Sequence, residues 1–209
     1  MNASADTELA FADEIGGPIC GIDEAGRGAW AGPVVAAAVI CGDVKAYPED
    51  LADSKTLREA RREHLFDLLS ARQDLRVGVG VASVAEIDRM GVGKANWLAM
   101  ARAVKALPSP PLGALVDGNY APALPCPDIR PIVKGDGSCL VIAAASIVAK
   151  VTRDRIMRSL CPEHPAYRWS ANKGYPAPVH RAALEEIGPS AHHRHSFAPI
   201  AALDDRHAS

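Results

Sequence analysis

Aromatic residues are scarce in this chain. Three Trp, four Tyr and three Phe make up 5% of 209 residues, so Ala, Val, Leu and Ile have to fill the core. Long apolar runs are missing too: stretches such as Pro33 to Cys41 and Leu140 to Ala149 fall well short of the roughly 18 residues that a membrane-spanning helix needs. No basic segment followed by an apolar stretch opens the chain, so the pattern of a secretory signal is absent. A cytoplasmic protein with no membrane association is the expectation. The five cysteines, Cys20, Cys41, Cys126, Cys139 and Cys161, are odd in number and contain no C-x-x-C pair, and they read as reduced core thiols. Internal repeats and low-complexity tracts are lacking as well.

An excess of positive charge is also lacking. The formal net charge is −2, which does not announce a nucleic-acid binder, although a net charge averages over faces of different sign. From Arg130 to Arg181 there are nine Lys or Arg against three Asp or Glu, whereas residues 1 to 15 carry four acids and no base. A positive face in the C-terminal third and plain scattered surface charge both fit these numbers, and the second is the commoner outcome.

What remains is a soluble globular composition, 48% hydrophobic and 23% charged, in a chain long enough for one core of ordinary size. A single domain over residues 17–200 is expected, with a loose, acidic N-terminal arm at 1–16 and a C-terminal tail at 201–209. Strands are predicted at Pro18 to Ile22, Val34 to Ile40, Val77 to Val81, Ala114 to Val116 and Ile129 to Val133. The connection Gly26 to Gly32 is short enough to join the first two as an antiparallel hairpin. The alternation of Val and Gly in Val77 to Val81 suits a strand against which another element packs closely. Helices are predicted after Asp53-Ser54-Lys55 with Ser54 or Thr56 as cap, from Lys94 to Leu107, from Ser138 to Leu160 with buried early turns, and from Pro178 to Ile187 with Gly188 as its stop. The order implies a mixed α/β sheet with helices on its faces.

Several acids fall where predicted strands end or a helix begins: Asp23 and Glu24, Asp117, and Asp136. Such ends converge on one side of an α/β sheet. Clustered carboxylates raise one another's pKa unless a hard cation neutralises them, and Mg²⁺ or Mn²⁺ meets that demand. Phosphoryl transfer is the chemistry that such a cluster serves. Neighbours on a regular strand face opposite sides, so Asp23 and Glu24 share a site only if Glu24 lies where the strand has bent or ended. Taken singly, an acid is more often a cap, a turn former or a solvated surface group. The run Gly26 to Ala31 also fits a dinucleotide-binding G-x-G-x-x-A pattern, but that fingerprint must open a helix, whereas Pro33 and a β-branched run follow.

Gly21-Ile22-Asp23-Glu24-Ala25-Gly26-Arg27-Gly28 followed by Ala31-Gly32-Pro33-Val34-Val35-Ala36-Ala37-Ala38 resembles the opening of the bacterial ribonuclease HII family. Further blocks resemble it in the same order: Asp53-Ser54-Lys55, Val116-Asp117-Gly118-Asn119, Lys134-Gly135-Asp136, Ile142 to Arg155, Lys173-Gly174-Tyr175 and His193-Arg194-His195-Ser196-Phe197. The resemblance runs from about Ile19 to Pro199. It implies a ribonuclease H-like mixed β-sheet flanked by α-helices. The implied activity is endonucleolytic attack of water on the RNA strand of RNA/DNA hybrids and 5′ of ribonucleotides embedded in duplex DNA, leaving 3′-hydroxyl and 5′-phosphate ends. It further implies that Asp23, Glu24, Asp117 and Asp136 are catalytic and hold Mg²⁺ or Mn²⁺, and that Gly26, Arg27 and Gly28 approach the ribose 2′-hydroxyl. Tyr175 is implied to pack on a sugar, Lys55 to contact phosphate, and the protein to act as a monomer. Asp154 lies in a family block and is read as a helix-borne structural partner for nearby Arg or backbone groups. Three departures stand out: Gly137-Ser138-Cys139 after the Asp136 motif, Asn172 in place of a His, and Pro176-Ala177 after Tyr175. His180, His193 and His195 are left without a catalytic role and are expected at the surface or as caps.

Overall fold

The computed structural model describes residues 4–40, 42–43, 47–48, 51, 57–120 and 122–207. Five strands form one mixed sheet: β1 (Ile19–Ala25), β2 (Val34–Ile40), β3 (Arg76–Ala82), β4 (Gly113–Asp117) and β5 (Asp128–Ile132), in the order β3-β2-β1-β4-β5. The β1–β2 and β2–β3 pairs are antiparallel, and β4 lies parallel to both β1 and β5. The expected hairpin is therefore present. No helix follows Gly26 to Ala31, which disposes of the dinucleotide-binding reading.

The helices are α1 (Asp6–Ile15), α2 (Glu59–Ser70), α3 (Val84–Met90), α4 (Val92–Lys105), α5 (Leu140–Leu160), α6 (Trp169–Asn172), α7 (Pro178–Ile187) and α8 (Ala198–His207). Alternation along β1 sends Ile19 and Ala25 into the core beneath α5, and Cys20 and Ile22 into the core beneath α4. Every residue of β2 is buried, as a central strand covered on both faces requires. Aliphatic side chains and alanines do fill both cores. On β3, a Cβ at Gly78 or Gly80 would meet the carbonyl oxygen of Ala103 or Ala99 at 2.1 and 2.0 Å, so the missing side chains let α4 lie against the strand. Val141 to Ala149 are buried throughout, matching the expected early turns of α5.

Four expectations need correction. The N-terminal segment is not a loose arm: residues 6–15 form α1, which buries Phe11 and Glu8. Glu8 accepts a hydrogen bond from Cys139 Sγ at 2.7 Å beside the start of α5, a tertiary contact invisible to local pattern. The second helix begins at Glu59 behind an extended Arg58 and has no side-chain cap; Ser54 and Thr56 lie outside the described residues. Positions 201–207 continue α8 rather than forming a separate tail. His180 and His193 are fully buried and bonded to each other through their Nε2 atoms at 2.9 Å, so they belong to the core of the C-terminal layer.

Much of the basic stretch from Arg130 is paired or buried. Arg130 pairs with Glu14 and Asp128, Arg155 with Glu63, Arg158 with Glu59 and Glu63, and Lys173 with Glu59, while Arg153 is buried. Asp154, expected as a partner for nearby Arg or backbone groups, instead accepts from Lys150 Nζ at 2.6 Å. Cys20 and Cys139 are buried free thiols, and Cys126 and Cys161 are half-buried ones. Among the described residues no helix is long and apolar enough to cross a membrane.

Candidate active site

Parallel pairing aligns Ile22 of β1 with Val116 of β4, so the next residue on each strand, Asp23 and Asp117, emerges at the same end of the sheet. That end is where an α/β sheet gathers its ligands. A cleft of about 530 Å³ opens there, lined by Asp23, Glu24, Gly26, Arg27, Gly28, Arg62, Asp117, Ser146, Lys150 and Tyr175 among others. Asp23 is 2% exposed. Its Oδ1 accepts the Glu24 N–H at 2.7 Å and its carboxyl is hydrogen-bonded by Ser146, but Oδ2 is buried without a hydrogen-bond partner among the described residues. Burial first, then the neighbouring charges of Glu24 and Asp117, push the Asp23 carboxyl up to about 8. Burial also raises Glu24, against the opposing pull of Arg27 and Asn96. Asp117 Oδ1 accepts the Gly135 N–H at 2.8 Å, which fixes its direction.

Glu24 reaches the cleft without the expected bend. The ladder continues through Glu24↔Ala36 and Ala25↔Val35, so Glu24 leaves β1 on the α4 face, where Asn96 bonds it, while Asp23 leaves on the α5 face beside Ser146. The two carboxyls come to one cleft from opposite sides of a strand that is about to end. Three hard oxygen donors in mutual repulsion, one of them with a partnerless buried oxygen, are chemically suited to a divalent hard cation.

The loop from Gly26 to Pro33 is held from behind by two buried guanidinium groups. Arg153 donates to the carbonyls of Pro33, Ala31 and Lys173 at 2.9 to 3.0 Å. Arg194 donates to those of Gly26, Arg27, Gly32 and Pro33 at 2.7 to 3.2 Å. Backbone carbonyls alone satisfy both forks, so the loop itself is clamped. The turn carrying Tyr175 joins this frame, because Gly174 O accepts from Trp30 N and Ala31 N. Asn172, one of the departures noted above, braces that turn: its Oδ1 accepts from Gly174 N and its Nδ2 donates to Tyr167 O.

Two glycines of the loop differ in what they demand. Gly26 has φ +99°, and a Cβ there would meet Arg153 Nε at 2.0 Å and Pro33 O at 2.8 Å, whereas a Cβ on Gly28 would meet nothing within 4 Å. The fold requires the first to be glycine and is indifferent to the second. Gly26→Ala is expected to lower the midpoint of urea unfolding by an amount corresponding to about 1–3 kcal/mol. Gly28→Ala is expected to leave that midpoint within about 0.5 kcal/mol. A loss of stability in Gly28→Ala as large as in Gly26→Ala would refute the distinction.

Of the residues anticipated from sequence, Asp23, Glu24, Asp117, Gly26, Arg27, Gly28 and Tyr175 meet at the cleft. Asp136 sits in the 3₁₀ turn Gly135–Gly137, next to the residue that bonds Asp117, and is not among those lining the cleft. Lys55 lies outside the described residues. Arg62, Ser146, Lys150 and Asn96 were not anticipated. Ser146, Lys150 and Arg153 fall at i, i+4 and i+7 on α5, a helical spacing that marks one face.

A mixed sheet with acids at the ends of two parallel strands, beside a clamped glycine-rich loop, has the build of a ribonuclease H-like hydrolase. Residues 20–200 match the family model described as Ribonuclease HII. The chain is 52% identical over 194 residues to the Ribonuclease HII of Granulibacter bethesdensis, covering 91% of this chain and 88% of that one. It is 52% identical over 197 residues to the Ribonuclease HII of Paramagnetospirillum magneticum, covering 93% and 96%. The crystal structure of the ribonuclease H2 from Pyrococcus horikoshii OT3 superposes with a TM-score of 0.78 at 26% identity, covering 92% of this chain and 99% of that one. The chain belongs to the ribonuclease HII family, and is a type 2 ribonuclease H, an endonuclease acting on phosphodiesters.

Proposed function

We propose that this enzyme hydrolyses the RNA strand of RNA/DNA hybrids and also cuts 5′ of single ribonucleotides embedded in duplex DNA, leaving 3′-hydroxyl and 5′-phosphate ends. The observation that carries the proposal is the buried Asp23 carboxyl, pushed up to about 8 and left with a partnerless Oδ2 beside Glu24 and Asp117. Asp23, Glu24 and Asp117 are the residues that would hold Mg²⁺ or Mn²⁺, with Asp136 joining from its adjacent turn. When bound, such ions supply Lewis acidity to a phosphoryl oxygen and lower the pKa of water.

The chain's own groups do the positioning. Gly28, with no protein atom where its side chain would stand, lets the main chain approach a ribose 2′-hydroxyl, the group that distinguishes RNA from DNA. Lys150 and Arg62 supply positive charge along the cleft for the phosphates, and Lys150 is oriented by Asp154. Tyr175 offers an aromatic ring for sugar packing, backed by the Arg153 guanidinium 5.2 Å from its centre.

The test uses a labelled DNA duplex with one internal ribonucleotide and, in parallel, one with a longer RNA tract, each with Mg²⁺, Mn²⁺ or chelator. Cleavage of both, 5′ of the single ribonucleotide in the first and only with metal, is the expected result. An enzyme that cuts the RNA tract but leaves the single ribonucleotide intact would overturn the embedded-ribonucleotide reading. Full activity in chelator would overturn the metal assignment.

A further inference from the structure

Four histidines crowd the C-terminal layer, and they divide into two kinds. His180 and His193 spend their ring nitrogens on the protein: on each other, on Tyr175 O at 3.0 Å and on Ser190. His164 and His192 are only half-buried, stand 5.2 Å apart with rings at 73°, and both contact Trp169. Among the described residues no hydrogen bond engages a ring nitrogen of either one. Glu163, exposed and adjacent to His164, completes the group: one ligand atom from each of Glu163, His164 and His192 lies within 4.8 Å of the others. No member of this trio lines the acidic cleft.

We propose that Glu163, His164 and His192 form a second metal site, for a borderline divalent transition ion of the Zn²⁺ class. Two imidazole nitrogens and one carboxylate suit such an ion and not Mg²⁺, which prefers oxygen donors alone. Ligand atoms on a tetrahedral Zn²⁺ with bonds of about 2.0–2.1 Å stand about 3.3 Å apart, so modest side-chain rotation closes the trio and leaves a position for water. Trp169 restrains both rings, and Glu163 at the surface is free to swing. The site would tie the turn after α5 to the segment after α7. That segment reaches the active-site loop directly, since Gly32 N donates to His192 O at 2.9 Å and Arg194 follows two residues later.

The experiment is equilibrium dialysis of the full-length enzyme against Zn²⁺ in excess Mg²⁺, with bound metal measured directly and Co²⁺ used in parallel as a visible-absorption reporter. One equivalent of Zn²⁺ is expected to be retained, and Co²⁺ to give an imidazole-ligated absorption band. His192→Gln and His164→Gln should each weaken Zn²⁺ binding by about 100-fold or more, and the surface variant Glu163→Gln by about 10-fold. Glu163 is exposed, so Glu163→Gln keeps the test decisive if a histidine variant folds poorly. Failure of the parent to retain Zn²⁺, or equal retention by parent and all three variants, would overturn the site.

Discussion

In chelator at pH 8, Asp23→Asn is expected to melt several degrees above the parent enzyme, and with Mg²⁺ supplied it is expected to have lost about 10³-fold or more of the parent's hydrolysis rate. The stability gain follows from the sign of the shift. An acid whose pKa rises from 3.8 in the open chain to about 8 when folded binds more protons folded than unfolded across that interval, so folding weakens steadily as pH climbs through it. Asparagine has no charge to suppress, and its amide places a donor where Oδ2 lacks a partner, beside two carboxylates. Each kcal/mol recovered should raise Tm by about 2–4 °C in a domain of this size. The gain should fade as pH falls towards 3.8 and vanish well below it, where the parent's carboxyl is protonated in both states. The rate loss follows from removing a proposed metal ligand, with several kcal/mol of transition-state stabilisation at stake. Added Mg²⁺ should raise the Tm of the parent and scarcely move that of the variant. A variant that melts below the parent at pH 8 would show that Asp23 is not held against its own ionisation.

Arg194→Met should lower stability by about 3–5 kcal/mol, read from the midpoint of urea unfolding. The substitution strands the carbonyls of Arg27 and Gly32 in a water-poor interior, each at a cost of about 1–3 kcal/mol before the loop relaxes, and leaves those of Gly26 and Pro33 to the Ala29 N–H and Arg153 Nε. Arg194→Lys should recover little of this. A single ammonium cannot spread its donors over four oxygens as the planar fork does. If Arg194→Met unfolded within about 1 kcal/mol of the parent, the clamp would be incidental. The surviving folded fraction should also cut poorly, because Gly26, Arg27 and Gly28 belong to the loop so held.

The strands and the longer helices were legible because their patterns are local. Val34 to Ile40 is a buried β-branched and alanine run, and Pro178 and Gly188 punctuate α7 at both ends. Asp23 and Asp117 were legible as a pair because each ends a strand. What escaped was non-local. α1 looks aperiodic, and it is held by Phe11 in the core and by Glu8 bonded across 131 residues to Cys139. α3 carries a capping box, with Ser83 Oγ accepting from Glu86 N and the Glu86 carboxylate accepting from Ser83 N. The pattern was in plain view, and the helix it opens is only seven residues long. The roles of Arg153 and Arg194 could not be read, since their partners are main-chain carbonyls that carry no sequence signature. The condition that the strand bend or end at Glu24 proved unnecessary: the ladder stays regular through Ala25, and Glu24 reaches the cleft from the other face.

The Arg194 clamp also bears on how the enzyme comes into being. Translation runs from the N-terminus, so the hairpin with its acids emerges early, while the guanidinium that fastens it is 167 residues behind Arg27. At about 5–20 residues per second, roughly 8 to 33 seconds separate the two on the ribosome. A nascent chain carries its hairpin through that interval without the guanidinium that holds the loop beside the acids.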